Sequence, residues 1–199
     1  MLNKEPHGLV SVIIPCYNHG NFLPTAIQSV LDQNYSEIEI IVIDDGSIDN
    51  TKEVAQNYKE VIYKYQKNQG LSAARNTGIK ISNGAFLLFL DADDWLLPEV
   101  IELNLNYLHS NKNLAFVSGG HLKVFDNNKL VTEKQEIKDN HFVHLLKGNY
   151  IGMHATVLYR RWVFDEFSFD ETLKNCEDYD LYLKITRKYP VLHHTHLIA

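Results

Sequence analysis

Three carboxylates, Asp91, Asp93 and Asp94, follow directly on an apolar run in the segment AFLLFLDADDW, Ala85 to Trp95. Like charges this close repel one another and take up protons unless a cation, a hydrogen-bond donor or solvent answers them. Hard oxygen ligands suit magnesium or manganese, which bind through one or two carboxylates while substrate phosphates complete the shell. The spacing therefore points to Mn2+ or Mg2+ and an anionic diphosphate substrate, with turn and cap duties as the plain alternative for any single aspartate. A second pair, Asp44 and Asp45, closes the run IEIIVIDDGS, where turn chemistry accounts for the residues equally well.

Such residues need elements to hold them. Leu9 to Pro15 reads as a buried strand and Phe22 to Leu31 as a helix, with Phe22, Ala26, Ile27 and Val30 at helical spacing. Ile38 to Ile43 is a second strand, and Asn50-Thr51-Lys52-Glu53 reads as a capping box opening a helix to about Tyr58. Val61 to Tyr65 is a third strand, Leu71 to Ile81 a helix and Ala85 to Leu90 a fourth strand. Pro98 suits the first turn of a helix to about His109. Alternating strands and helices imply an α/β fold with a mainly parallel central sheet covered on both faces. Beyond Ala115, LAFVSGGHLKVF reads as two short strands about a Gly-Gly turn, and FDNNKLV as a further turn. HATVLYR is another strand, Glu177 to Lys188 a helix and Val191 to His194 a last strand.

At 199 residues the chain is long enough for one sizeable core, and one domain over 1–199 is expected. A hydrophobic content of 45% and a charged content of 22% are those of a globular chain. A net charge of -6 argues against broad binding to nucleic acid or anionic lipid. Two cysteines are too few for a disulfide framework, and MLNKEPHG lacks the pattern of a signal peptide, so a cytoplasmic location is expected. The longest apolar runs fall far short of the roughly 20 residues of a membrane-spanning helix. In extended conformation His194 and His196 of HHTH would share one strand face, where a solvated segment is favoured over a metal role.

Two other motifs fit the acidic cluster less well. An EF-hand would place Asp91 and Asp93 at loop positions one and three, but Trp95 replaces the ligand at five and Leu96 the turn glycine at six. Haloacid-dehalogenase-like phosphatases also use Asp-x-Asp after an apolar strand, but there it usually closes the first strand, and here it closes the fourth.

Read together, VSVIIPCYNHGNFLPTAIQSVLDQ, IEIIVIDDGSIDNT, NQGLSAARNTGI and FLLFLDADDWLLP closely resemble the family 2 glycosyltransferases of GT-A fold. The resemblance is strong from Val10 to Pro98 and resumes at HATVLYRR and CEDYDLYLKI. It implies a nucleotide-sugar-binding half over about 9–98 and an acceptor-side half over about 99–199. Family members often continue past the position of Ala199 with helices that complete the acceptor side.

The resemblance also implies roles for particular residues. Pro15, Tyr17 and Asn18 would hold the nucleotide base, with Tyr17 stacking on uracil. Asp45, beside Asp44, would accept a hydrogen bond from base or ribose. Arg75 would bind near the donor phosphates. In Asp91-Ala92-Asp93, Asp93 would coordinate the metal directly and Asp91 would contact ribose or act through water. Asp178 would be the catalytic base, while Asp94, Glu177 and His154 would lie toward the acceptor. The implied reaction is inverting transfer from a UDP-sugar to a hydroxyl of a glycan, lipid-linked or protein acceptor, with peripheral attachment at the inner face of the membrane. The expectation from a different class is a nucleotide-sugar-binding module without transferase activity.

Overall fold

Strand β1 (Val10–Cys16) is buried along its whole length and occupies the middle of a sheet, as its unbroken apolar sequence requires. The structure, a computed structural model, describes residues 8–125 and 129–199. On one side β1 pairs in parallel with β2 (Ile38–Asp44), and β2 in turn with β3 (Val61–Tyr65). On its other side β1 pairs in parallel with β4 (Phe86–Phe89). The sheet then continues antiparallel through β7 (Val157–Arg160) to β5 (Phe116–Val124) and β6 (Leu130–Glu133). Strand β8 (Leu192–Leu197) lies parallel to β5. The strand order is β3-β2-β1-β4-β7-β5-β6, with β8 on β5.

Helices cover both faces. Val10, Val12 and Ile14 pack with α1 (Leu23–Leu31) and α4 (Val100–Ser110), while α2 (Thr51–Gln56) adds Ala55 to the same cluster. Ile13, Ile41, Ile43 and Phe89 pack the opposite face, with α3 (Leu71–Ile81), α5 (His141–Lys147) and α6 (Glu177–Thr186). The alternation of Val12 and Ile13 between the two cores follows from the period of two along a strand. The expected α/β architecture with a central, mainly parallel sheet is the one observed.

Several local expectations are corrected. Gly119 and Gly120 lie inside β5 and make no turn. A Cβ at Gly119 would come within 2.5 Å of His194 Cε1 and 2.7 Å of the His196 carbonyl, so these glycines let β8 approach at an irregularity in the pairing. Helix α2 is not capped by Asn50; the Asp49 carboxylate accepts the Thr51 N–H at 3.0 Å instead. Helix α4 begins at Val100, after Glu99 in a left-handed conformation, which leaves Pro98 outside the first turn. Strand β8 carries HHTH, and His194 and His196 both lie against Tyr107. The FDNNKLV turn and most of the N-terminal MLNKEPHG segment fall on residues 126–128 and 1–7, outside the described residues.

Gly78 sets how closely α3 lies on β1. A Cβ there would come within 2.3 Å of Ile13 Cγ2, and Ile13 is wholly buried. Gly78→Ala is therefore expected to lower stability by about 1–3 kcal/mol through overpacking, even though alanine is the better helix former by about 1 kcal/mol. Urea denaturation monitored by circular dichroism checks this.

Candidate active site

The chain winds outward from β1 to β2 and β3, then returns to β4 on the far side of β1. The strand order thus reverses between β1 and β4, and in open α/β sheets ligands bind beyond the carboxyl ends of the strands at such a point. A cavity of about 530 Å³ opens there. Pro15, Cys16, Tyr17 and His19 line it from the end of β1, and Asp91, Ala92 and Asp93 from the end of β4. Asp45, Asn68 and the first turn of α3 (Gly70, Leu71, Ala74) complete the wall. The amino-terminal end of α3 carries partial positive charge, which suits the phosphates of an anionic ligand.

The wall at the ends of β1 and β2 is built by three loops that bind one another. Asn18, at φ 55°, accepts the Ile48 N–H on Oδ1 at 2.8 Å and donates its own N–H to Ser47 Oγ at 2.9 Å. Asp44 is turned away from the cavity, accepting the Ser47 N–H at 2.8 Å and the Tyr63 hydroxyl at 2.6 Å. One oxygen holds the turn and the other Tyr63 of β3, and Asp44 does not line the cavity, so its expected part in donor binding is replaced by a structural one. Asp45 accepts the Gln66 amide (2.7 Å), the Gln69 N–H (2.9 Å) and the Gly70 N–H (2.8 Å). An ionised carboxylate offers about four acceptor positions, so Asp45 retains capacity for a ligand while holding the 66–70 segment. Tyr17 is half-exposed at the mouth. Gly46, at φ 85°, makes the DDGS turn possible, with the Asn68 backbone nitrogen only 2.8 Å from where a Cβ would stand.

Arg75 departs from expectation. It is 2% exposed, and its two terminal nitrogens donate to Asp91 Oδ1 at 2.9 Å and Glu177 Oε1 at 2.6 Å. The guanidinium also lies 5.4 Å from the centre of the Phe169 ring. Burial works against the charge, but the two carboxylates outweigh it and raise the pKa further. Arg75 is committed to joining α3, the β4 loop and α6 and does not reach toward phosphates. Glu177 accordingly points inward to Arg75 and not toward an acceptor.

Asp178 stands at the first turn of α6 beside that pair and accepts the Tyr179 N–H at 2.7 Å. Its pKa is raised, first by burial and then by the charges of Glu177 and Asp91, with the Tyr179 N–H and Arg75 acting against them. Asp93 is half-exposed, with Oδ2 3.9 Å from His19 Nδ1 across the crevice. Asp94 is pushed up to about 7 by burial and by the neighbouring Asp91 and Asp93. His154, expected near the acceptor, is buried in an aromatic cluster with Phe89, Tyr159, Phe169 and Tyr182, and shares a 3.0 Å hydrogen bond with the Tyr159 hydroxyl. Burial and then Arg75 hold its imidazole neutral. His19 and the Glu177 partnership were not foreseen; for His19 the available signal was its place directly after Tyr17 and Asn18.

The surplus of negative charge at Asp91, Asp93 and Asp94 fits a hard divalent cation. Among the described residues no group of three or more His, Cys, Asp or Glu is arranged to hold a metal unaided. The chain thus offers one or two carboxylates, as magnesium and manganese commonly use, with phosphate and water left to complete the shell. HHTH is not the solvated segment expected: His193 and His194 are buried, with ring nitrogens sharing hydrogen bonds with Ser118 Oγ at 2.8 Å and Asn104 Oδ1 at 2.9 Å.

The Glycosyl transferase family 2 model matches residues 11–168. The chain belongs to this family. It is 35% identical over 184 residues to an uncharacterized glycosyltransferase of Rickettsia felis, covering 90% of this chain and 30% of that protein. It is 34% identical over 182 residues to the Escherichia coli UDP-Glc:alpha-D-GlcNAc-diphosphoundecaprenol beta-1,3-glucosyltransferase WfgD, covering 90% of this chain and 70% of that protein. Among solved structures, Staphylococcus aureus TarS 1-349 in complex with UDP-GlcNAc superposes with a TM-score of 0.76 at 22% identity, covering 96% of this chain and 57% of the other. The Pyrobaculum calidifontis mannosyltransferase PcManGT, in complex with GDP-Man and Mn2+, gives 0.75 at 16% identity, covering 96% and 56%. These likenesses establish the GT-A fold. The chain spans from 30% to 59% of the length of the first curated relatives it matches. Among the described residues no helix is long and apolar enough to cross a membrane.

Glu177→Ala removes one of the two carboxylates that Arg75 meets and leaves Asp91 in place, so stability is expected to fall by about 1.5–3 kcal/mol, the usual worth of a hydrogen bond to a charged group. The shift in urea midpoint measures it.

Proposed function

We propose that this glycosyltransferase moves a hexosyl or N-acetylhexosaminyl group from a UDP-sugar to an acceptor hydroxyl, with inversion at the anomeric carbon. The observation that carries the reading is the single cavity between β1 and β4, with Asp45 and Tyr17 on one wall and Asp91-Ala92-Asp93 on another. UDP and UDP-GlcNAc are bound by the TarS structures, and UDP-Glc is named for the E. coli relative, which supports the uridine assignment. In this reading Tyr17 and Pro15 flank the base, Asn18 shapes the loop beside it, and Asp45 accepts from base or ribose. Asp93 would hold Mn2+ or Mg2+, with Asp91 contributing its oxygen not given to Arg75 or acting through water; Mn2+ accompanies GDP-Man in PcManGT. A bound divalent ion supplies Lewis-acid stabilisation of the departing diphosphate.

Asp178 takes the proton of the attacking hydroxyl as the new glycosidic oxygen–carbon bond forms and the bond to the diphosphate breaks. No nucleophilic side chain is needed. Arg75 keeps Asp91 and the α6 turn together, and so acts as a positioning residue. Asp94 is assigned to the acceptor side of the same loop. The two halves, 9–98 and 99–199, work as one domain in this account. A lipid-linked acceptor, like the diphosphoundecaprenol named for the E. coli relative, would bring the chain to the cytoplasmic face of a membrane and place it in surface-polysaccharide synthesis.

Calorimetry with UDP, with and without manganese, tests the donor site. Manganese-dependent binding is expected for the wild type and its loss for Asp93→Ala; no binding of UDP under any metal would sink the uridine assignment. UDP-sugar hydrolysis in the absence of acceptor separates an enzyme from a binding module. Asp178→Asn is expected to lower turnover by about 10²–10⁴-fold, the usual worth of a general base.

The same base sets the pH dependence. Asp178 works when ionised, and its pKa lies above the ordinary aspartate value. The expected kcat/KM profile is therefore level toward neutral pH and falls as pH drops through that raised value, earlier than an exposed aspartate would allow. A profile still level at the ordinary aspartate pKa would remove Asp178 from the role.

A further inference from the structure

Asp93 and Asp94 stand on an irregular stretch between Phe89 and Val100. Carboxylates on a loop can grip an ion reproducibly only when the loop backbone is itself held. One bond is local, from the Asp94 N–H to the Asp91 carbonyl at 3.0 Å. The other anchors come from distant parts of the chain. Ser29 Oγ on α1 accepts the Leu96 N–H at 3.0 Å while donating to the Ala26 carbonyl at 2.8 Å. The Ile198 carbonyl, just past β8, accepts the Leu97 N–H at 2.8 Å.

Gln33, two residues past the end of α1, does the most. Its Nε2 donates to the Leu97 carbonyl at 2.8 Å and to the Ser29 carbonyl at 3.0 Å. Its Oε1 accepts the Ile101 N–H at 3.3 Å. The first N–H groups of a helix lack intrahelical partners and are usually answered by a capping side chain. Helix α4 starts from Glu99 at φ 64° with no side-chain cap of its own. Gln33 delivers the missing cap from the segment just past α1, and the same planar amide ties down the carbonyl four residues earlier. The side chain is 8% exposed, so water does not replace these bonds at low cost.

We propose that Gln33 is a positioning residue for the acidic loop, fixing the geometry in which Asp93 meets the cation and the donor diphosphate. The inference rests on the donor-site reading above. Groups hydrogen-bonded directly to a metal ligand typically change metal affinity by about 10–100-fold when removed, and Gln33, which holds the backbone four residues past Asp93, is expected at the lower end of that range.

The test is calorimetry of UDP binding across a manganese series, paired with hydrogen exchange at the Ile101 amide, whose acceptor is Gln33. Gln33→Leu keeps the approximate volume and removes every bond, while Gln33→Glu keeps the acceptor for Ile101 and loses the donor to Leu97. Gln28→Ala, on the exposed face of α1 with its amide on Asp32, is the control. Gln33→Leu is expected to lose about tenfold of the manganese enhancement, with metal-free UDP affinity kept and the Ile101 amide exchanging faster. Gln33→Glu should fall between it and the wild type, and Gln28→Ala should match the wild type. Faster exchange with an unchanged manganese enhancement overturns the positioning role and leaves the donor reading standing. Unchanged exchange overturns the clamp itself. A wild type whose UDP affinity ignores manganese overturns the metal-dependent donor reading and this inference with it. Should Gln33→Leu fail to fold, Gln33→Met, which is unbranched and likewise removes every bond, gives the same readings.

Discussion

The Arg75 guanidinium, enclosed between Asp91 and Glu177, is the contact on which the site depends. It ties three elements that share no continuous chain: α3, the loop after β4 and the first turn of α6. Apolar replacements of buried ionic groups are often neutral or more stable by about 1–4 kcal/mol, so net stability is a poor reason for keeping such a trio. Geometry is a better one. Bonds from separate nitrogens of one planar group set both the distance and the angle at which Asp178 stands beside the Asp91 loop. Phe169 closes over the guanidinium and keeps water from loosening the arrangement.

That arrangement also divides the negative charge of the crevice. Arg75 answers Asp91 and Glu177, and the N–H groups at 69 and 70 answer Asp45. Asp93 and Asp94 are left with little cationic company, His19 lying 3.9 Å from Asp93. Burial and the neighbouring Asp91 and Asp93 push the Asp94 pKa up to about 7, so Asp94 carries less of the negative charge and Asp93 is the carboxylate left most open to a cation. Carboxylates close in sequence have separate duties because their partners differ.

Much of this was legible in the chain. Strands β1, β2 and β4 announce themselves because burial on both faces requires continuous apolar sequence, and the acidic residues at their ends mark the crevice by type alone. The Gly119-Gly120 pair misled because a turn and a close strand approach select the same residue. Asn50 looked like a cap because Asp49, one residue earlier, offers the same chemistry. Arg75 and Glu177 lie 102 positions apart, and no local pattern reports a partner at that separation. His154 gave no sign of its burial, since an isolated histidine near a strand reads the same at a surface or in a core. Gln33 is silent for a like reason: its bonds are to backbone groups, whose positions only the folded chain specifies.

The bond between the Leu97 N–H and the Ile198 carbonyl bears on how the molecule reaches its native state. It joins a loop in the first half to the last strand, and the Arg75–Glu177 bond spans a similar distance along the chain. Contacts of such large sequence separation carry a loop-closure cost and form late, whereas β1, β2 and the helices between them can associate locally. During synthesis the acidic loop emerges well before α6 and β8, so its carboxylates wait, solvated, for the rest of the chain. The wall at the ends of β1 and β2 can be in place early, but the Arg75–Glu177 bond that joins the acidic loop to α6 forms only once α6 has emerged.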